Sequence, residues 1–351
     1  MKRHKHLFEQ VCSFENLHAA AYAAMRGKRG KVPAACFFAN LEEELVALRT
    51  ELLEGTYRHG GYHYFRIYEP KERLVAAAEF RDRVVHHAVV RVVEPIFEPR
   101  FIEDSFACRT GKGTHAGMRR AAQFARAFPY ALKCDIRKYF AHIDHAILSQ
   151  LLAKVIGDER LLVLMNGILA SHADGSRRIW GVDLFSVRDA RRGLPIGNLT
   201  SQFWANVYLN ALDHFVKHEL RCKGYVRYMD DFLLFSRDKE ELRQWGRQIK
   251  QWVVEQLRLE VHPDKYRLLP TCCGVDFCGF VVFADGRIRV RTSAARRFQK
   301  RYRHNLRLAH AKKVKFSAVR ASVIAWAGHV KHAQSYGLRR AVFCAAGGRT
   351  G

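Results

Sequence analysis

The residues with the most chemistry are Arg227-Tyr228-Met229-Asp230-Asp231-Phe232-Leu233-Leu234-Phe235, two adjacent carboxylates set among aromatic and apolar side chains. Burying two such charges together is expensive unless a cation compensates them, and a divalent metal is the natural one. A third carboxylate, Asp135, ends an apolar segment 95 residues earlier, in Lys-Cys-Asp-Ile-Arg-Lys-Tyr-Phe (133–140). If its strand lies beside the Asp230 hairpin, the carboxylates converge on Mg²⁺, which takes one or two protein carboxylates plus substrate phosphates. Two such ions activate an attacking hydroxyl and stabilise a leaving pyrophosphate. A lone Asp-Asp reads as a solvated turn; the apolar flanks on both sides count against that here.

The elements that must position these residues follow from hydrophobic periodicity. Residues 130–140 read as a strand entering a turn, and 225–236 as a buried hairpin with an acidic centre. Between them, Phe203, Val207, Ala211 and Phe215 recur four apart and predict a helix over 199–220. A second helix, 240–257, turns Leu242, Trp245, Ile249, Trp252 and Val253 inward. Upstream, Ser13 is positioned to cap a helix over 13–26 with Phe14, Leu17 and Ala21 on one face, and a helix over 40–54 ends at Gly55. Strands around Tyr62, Tyr64 and Ile67 precede a helix over 80–93 that is expected to stop before Pro95. Asp285-Gly286 between alternating runs predicts a hairpin, with Arg287, Arg289 and Arg291 on one face of its second strand. Helices with stripes at Phe298, Tyr302 and Leu306 and at Val319, Val323, Trp326 and Val330 follow.

The charge balance points to the partner class. The 351 residues carry 60 Lys and Arg against 34 Asp and Glu, a net +26 that repels itself unless a polyanion neutralises it, and nucleic acid is the obvious one. No Asp or Glu follows Asp285, whereas 17 Lys and Arg do. The basic N-terminus lacks an apolar signal core, and no apolar run approaches the ~18 residues of a membrane span. Nine cysteines without an export signal fit a reducing cytoplasm, and Cys272, Cys273 and Cys278, lacking a CxxC pair, read as buried thiols rather than a zinc site. His86-His87 lacks a metal-ligand partner and reads as structural.

Tyr-Met-Asp-Asp in a hairpin, with Asp135 followed five residues on by Phe140, resembles the palm of a reverse transcriptase. Gly-Leu-Pro-Ile-Gly-Asn-Leu-Thr-Ser-Gln (193–202) opens a segment similar to the helix-entry motif of those enzymes, and its form LPIGNLTSQ is similar to the reverse transcriptases of diversity-generating retroelements. SFENL (13–17), YEPKERL (68–74), DRVVHHA (82–88), FACRTGKGTHAG (106–117), FCGF (277–280) and WAGHVKHA (326–333) look like family segments in the expected order. The resemblance implies an α+β right-hand polymerase fold, with an antiparallel palm sheet packed on helices. Its expected parts are an N-terminal helical extension (1–56), fingers and palm (57–285) and a basic helical thumb (286–351).

Carried over by residue, the resemblance makes Asp135, Asp230 and Asp231 the catalytic set and assigns two Mg²⁺ ions to Asp135, Ile136, Asp230 and Asp231. Lys71, Arg73, Phe140, Ile196, Gly197 and Lys265 become nucleotide-binding residues, with Lys71 and Arg73 on the triphosphate and Phe140 as the gate against a ribose 2′-hydroxyl. A core aromatic is the competing role for Phe140, because Tyr139 lies next to it, and a solvated charge competes for Lys71 and Lys265. Arg109, Ser201 and Gln202 would contact the template, and Arg287, Arg289 and Arg291 the template–primer backbone. Most reverse transcriptases carry Gln where this chain has Ile196, and in the retroelement family an aliphatic residue there goes with error-prone copying at template adenines; packing before a helix is the plain alternative.

The function implied is an RNA-directed DNA polymerase that copies a template-repeat RNA into adenine-mutagenised cDNA, diversifying a target gene by mutagenic retrohoming. Its partners would be template RNA, a DNA or RNA primer, deoxynucleotides and an accessory variability protein that is small, basic, helical and oligomeric. The alternatives are a group II intron or retron enzyme, expected to carry a maturase domain or a late Val-Thr-Gly, and a non-catalytic RNA-binding protein on a polymerase fold.

Overall fold

In the computed structural model, residues 3–68, 72–179 and 192–347 are described. The chain opens with α1 (Phe8–Val11) and α2 (Phe14–Met25), and Ser13 caps α2 by accepting from Asn16 N at 3.2 Å. Leu17, Ala20, Ala21 and Ala24 form the buried stripe of α2. Phe14, expected on that stripe, is exposed instead, its ring stacked on His18, which in turn meets Tyr22 one turn further along the surface. Helices α3 (Val32–Ala39) and α4 (Leu41–Glu54) follow, and Gly55 at φ 73° ends α4 with its N–H on the last carbonyls.

Strands β1 (Tyr62–Ile67) and β2 (Arg73–Ala78) pair antiparallel and lead into α5 (Phe80–Phe97). Contrary to expectation, α5 runs through Pro95. The proline removes the one bond to the Arg91 carbonyl with only two helical residues beyond it, and the burial of Val93 and Phe97 on either side holds the helix together. Then come α6 (Thr114–Ala127), β3 (Tyr130–Asp135), α7 (Tyr139–His142), α8 (His145–Ala153), α9 (Glu159–Ile179) and α10 (Leu199–His214). Helix α10 gives way at Phe215–Glu219 to a π-turn rather than continuing to 220. Strands β4 (Gly224–Tyr228) and β5 (Asp231–Ser236) form the expected hairpin, followed by α11 (Lys239–Leu257) and strands β6 (Arg267–Pro270), β7 (Val275–Phe277), β8 (Phe280–Val282) and β9 (Ile288–Val290). Helices α12 (Thr292–His310), α13 (Phe316–Val330) and α14 (Tyr336–Gly347) complete the described chain.

Two compact units are interleaved along the sequence. The first comprises residues 1–103, 136–215 and 249–261. Its centre is α5, whose Val84, Val85, Ala88, Val89 and Val93 are fully buried in a helix that packs with α2 and α10. The second comprises residues 104–135, 216–248 and 262–351 and is built on a four-stranded antiparallel sheet in the order β4-β5-β3-β6. Phe232 to Ser236 of β5 are buried on both faces, which is why this strand reads as a continuous apolar run instead of an alternating one. Met118, Ala121 and Ala125 of α6 join Ala131, Val226, Leu233, Phe235, Phe277 and Phe280 in one core cluster. The whole is an α+β structure with antiparallel sheets.

The β8–β9 connection is a three-residue loop rather than the two-residue turn that Asp-Gly predicts, because Phe283 N donates to Arg287 O at 3.0 Å across Ala284, Asp285 and Gly286. Arg287 pairs with Asp285 and Arg291 with Asp276, whereas Arg289 is exposed, so the three arginines are not an equivalent row. Cys272 and Cys273 are exposed, not buried, because they lie on a surface 3₁₀ turn; the cysteines with described side chains are free thiols. Among the described residues no helix is long and apolar enough to cross a membrane.

One carboxylate caps two helices of the first unit. Asp158 Oδ2 accepts from Leu7 N at 2.8 Å and Phe8 N at 2.9 Å, and its Oδ1 accepts from Leu161 N at 3.2 Å in the first turn of α9. Burial pushes the Asp158 pKa up, but these backbone N–H groups outweigh burial and hold it below its ordinary value. Asp158→Ala should therefore lower stability in urea melts by about 1–3 kcal/mol. A depressed folded-state pKa gives stability that is present above the unfolded pKa of ~3.9 and lost as pH falls through the folded value. The wild-type advantage over the variant should be full at neutral pH and vanish in acid.

Candidate active site

The sheet of the second unit brings the predicted carboxylates together. Asp135 closes β3, Asp231 opens β5, and the two are paired across the ladder. Asp230 lies in the two-residue turn between Tyr228 and Asp231, whose first residue, Met229, adopts φ 56°. That left-handed conformation is strained for a side chain with a Cβ, by roughly 1–3 kcal/mol. Arg227 holds it: the side chain is fully buried and donates from Nη1 to Met229 O and from Nη2 to Ser105 Oγ, each at 3.0 Å. Its main chain donates to Asp104 O and accepts from Phe106 N, which laces the 104–113 loop to the edge of β4. Arg109 is on this loop, where Nη1 donates to Ser105 O at 2.8 Å.

Two lysines neutralise the carboxylates. Lys133 Nζ is 3.3 Å from Asp231 Oδ2 and donates to Asp276 O at 2.7 Å. Lys265 Nζ is 2.6 Å from Asp135 Oδ2, so this ammonium faces a carboxylate here. Burial raises the Asp231 pKa to about 6; Lys133 opposes the shift, and Asp135 and Asp230 add to it. Asp231 Oδ1 is buried with no hydrogen-bond partner among the described residues. A buried acceptor without a donor, beside two further carboxylates, suits a hard oxygen-seeking cation. Among the described residues no group of three or more His, Cys, Asp or Glu forms a metal cage. The Ile136 side chain is apolar and buried, which leaves only its main chain to face a metal.

Neither Arg227 nor Lys133 stands out in the sequence as a site residue. Arg227 reads as one basic residue among 60, and its burial depends on a loop more than 100 residues away. The one available signal is a lysine and an arginine inside otherwise apolar strands.

Other expected residues assemble in the first unit. Tyr139 takes the core position, buried with its hydroxyl on Ala205 O at 2.5 Å, which leaves the Phe140 ring half-exposed. The Phe140 carbonyl accepts from Leu194 N at 2.7 Å, tying α7 to the 193–198 segment. That segment is stitched in turn to β2, which carries exposed Arg73. Ala76 N donates to Ile196 O at 2.9 Å, Asn198 Nδ2 donates to Ala76 O at 3.0 Å, and Asn198 Oδ1 accepts from Ala78 N at 3.3 Å. Ser201 is fully buried with Oγ unpartnered among the described residues, so its side chain faces the interior; Gln202 is half-buried. Lys71 lies outside the described residues.

Gly197 makes the close approach to β2 possible. It adopts φ 116°, and a Cβ there would come within 2.8 Å of Val75 Cγ1. Gly197→Ala should cost roughly 1–3 kcal/mol in urea melts and speed proteolysis near 196–198, whereas unchanged stability and cleavage would mean that the segment is not clamped.

Residues 69–282 match the family described as reverse transcriptase (RNA-dependent DNA polymerase). The chain is 27% identical to protein YkfC of Escherichia coli K12, over 69% of this chain and 71% of that protein. It is 23% identical to the group II intron-encoded protein LtrA of Lactococcus lactis, over 68% of this chain but 49% of LtrA, so it spans about half of that relative's length. The mitochondrial nuclear intron maturase 1 of Arabidopsis thaliana is 31% identical over 30% of this chain and 14% of the maturase. Telomerase from Candida albicans, solved with a fragment of telomeric RNA, superposes with a TM-score of 0.46 at 13% identity, covering 71% of this chain and 50% of that one. Because the family match covers more than half of the sequence and contains Asp135, Asp230 and Asp231, the chain belongs to the reverse transcriptases, the RNA-directed DNA polymerases.

Proposed function

We propose that this reverse transcriptase copies a template-repeat RNA into cDNA mutagenised at adenines, which then diversifies a target gene by mutagenic retrohoming. The observation that carries the reading is Ile196. Its carbonyl accepts from Ala76 N at 2.9 Å, which ties this position to β2, and the resemblance puts an aliphatic side chain here where the broader class carries glutamine. An aliphatic group makes no polar check on the nucleotide, and pairing errors there go unopposed.

In the chemical step the primer 3′-oxygen bonds to the α-phosphorus of a deoxynucleotide, the hydroxyl proton is lost and pyrophosphate leaves. Asp135, Asp230 and Asp231, with the main chain of Ile136, are the residues that would hold two Mg²⁺ ions. Such ions would supply activation of the hydroxyl and charge neutralisation at the leaving phosphates. Lys133 keeps Asp231 oriented and charged against the burial that raises its pKa. Lys265, paired with Asp135 in this structure, would meet developing phosphate charge. Lys71, Arg73 and Gly197 would bind the incoming nucleotide, with half-exposed Phe140 gating its sugar. Arg109 and Gln202 would contact the template, and exposed Arg287 and Arg289 its backbone. An accessory variability protein remains part of the proposal. The similarity to LtrA and to an intron maturase favours one second reading, an intron-type reverse transcriptase that copies accurately.

Primer extension on an RNA template with Mg²⁺ and deoxynucleotides, with and without the accessory protein, separates the two readings when every product is sequenced. Errors concentrated opposite adenine support the retroelement reading, and accurate cDNA supports the intron-type one. Asp230→Ala should reduce synthesis by roughly 10³-fold or more, while RNA binding, carried by phosphate contacts, stays within about twofold. Ile196→Gln should lower misincorporation at adenines selectively; an unchanged error spectrum would assign fidelity elsewhere.

A further inference from the structure

Lys265 reaches Asp135 from beyond the end of its strand. In the second unit β6 is an edge strand, and its last pair with β3 is Arg267 opposite Lys133. Lys265 lies past that pair, in a 3₁₀ turn over Pro263–Lys265. The turn is closed by long backbone bonds, Lys265 N to His262 O at 3.2 Å and Tyr266 N to Pro263 O at 3.3 Å. One shorter bond, from His262 N to Asp135 O at 2.7 Å, ties the far side of the turn back to β3. A lysine side chain has much rotamer freedom to lose, and here no ladder continues beneath its main chain. Holding its ammonium 2.6 Å from Asp135 Oδ2 therefore calls for a further fixed point close to Lys265.

Tyr266 supplies that point. Side chains alternate across a sheet, so the residue next to Lys265 turns to the opposite face. Continuing the β3–β6 register sets Lys265 across from Asp135 and Tyr266 across from Cys134. Leu132 and Cys134, both fully buried, share this second face, and Leu132 packs against α11 at Gly246. The tyrosine ring ends at the same glycine. A Cβ on Gly246 would overlap the Tyr266 hydroxyl and come within 2.9 Å of Tyr266 Cζ and of Leu132 Cδ2. Gly246 has no left-handed backbone that would require glycine, and glycine inside a 19-residue helix weakens it relative to alanine. Space for the ring is thus the physical reason for a glycine at this position. Burial raises the Tyr266 pKa, and the Cys134 thiol adds to the shift, as expected for a ring lodged between sheet and helix.

We propose that Tyr266 is a positioning residue for nucleotidyl transfer: its ring, seated in the recess left by Gly246, fixes the 263–266 turn so that the Lys265 ammonium stays on the carboxylate face of the sheet. The proposal rests on the polymerase reading for the reaction that Lys265 serves. A slip of the turn by one residue would exchange the two faces, sending the lysine toward α11 and the ring among the carboxylates. A small side chain in place of the ring would leave the recess empty and the turn free to pivot about His262. Misplacing a group by about 1 Å costs up to about 10²-fold in rate when that group acts in the transition state, which is how a residue that touches no substrate controls the chemical step.

The test uses the full chain and two independent readouts. Single-nucleotide incorporation on a primed RNA template with Mg²⁺ gives kpol and the deoxynucleotide Kd. Tyr266→Ala should lower kpol by about 10-fold with Kd within about threefold, and Tyr266→Phe, which keeps the ring, should stay within about twofold of wild type. In a Lys265→Ala background the Tyr266→Ala loss should shrink below about twofold, because the ring acts through the ammonium. Equal losses in both backgrounds would make Tyr266 a general support of the fold and overturn the proposal, as would a Tyr266→Ala enzyme with wild-type kpol. Gly246→Ala should lower kpol while Tyr266 is present and have no effect once Tyr266 is alanine; equal losses there would mean that the recess does not seat the ring. The second readout needs no synthesis: acylation of lysines by an N-hydroxysuccinimide ester, followed by peptide mass spectrometry. Labelling of Lys265 relative to Lys133 should rise severalfold in Tyr266→Ala and stay at the wild-type ratio in Tyr266→Phe, and a flat ratio in Tyr266→Ala overturns the proposal. Labelling that responds while even the wild-type chain makes no DNA refutes the polymerase reading alone. DNA synthesis with flat labelling refutes the positioning role alone.

Discussion

Mutual repulsion among Asp135, Asp230 and Asp231 is the constraint around which the second unit is arranged. Like charges at the end of a sheet favour separation, and burial penalises each further, as the raised pKa of Asp231 records. Lys133 and Lys265 offset the charge on the two strand-borne carboxylates, and Arg227 fixes the turn that carries Asp230. Arg227 is in turn held by the 104–106 backbone and by Ser105, while Asp104 is anchored by Arg120 at 2.6 Å and Lys217 at 2.8 Å. Much of the polar architecture of this unit thus keeps carboxylates where they would not settle by themselves, an arrangement that a divalent cation and a triphosphate would relieve.

In the first unit the corresponding constraint is close approach between backbones. Gly197 and Asn198 hold the 196–198 segment against β2, and Tyr139 anchors α7 from within the core. The exposed or half-exposed side chains this leaves include Arg73, Phe140, Ile196 and Gln202, the residues proposed to handle nucleotide and template.

The basic C-terminal region uses aromatic packing to stay folded under its own charge. Phe298 stacks on Trp326 with ring centroids 4.1 Å apart, and Phe343 packs edge-on against Trp326, joining α12, α13 and α14. Gln334 exchanges hydrogen bonds with Ile288 and fastens the α13–α14 turn to β9. The apolar seam turns inward, and the lysines and arginines are left on surfaces suited to phosphate contacts.

Sequence alone determined the chemistry and most of the local structure. Adjacent carboxylates in an apolar hairpin, the Ser13 cap, Gly55 at the end of α4 and the four-residue spacing in α10 are local signals, and each corresponds to an observed element. Tertiary structure decided what depends on partners distant in the chain. It buried Arg227 against Ser105, set Lys133 beside Asp231, carried α5 through Pro95, turned Phe14 outward and made Tyr139 rather than Phe140 the core ring. The physical reason is that periodicity and capping act over a few residues, whereas charge compensation and burial depend on which strand and loop arrive alongside. That arrival is fixed by the β4-β5-β3-β6 register and the packing of the helices against it.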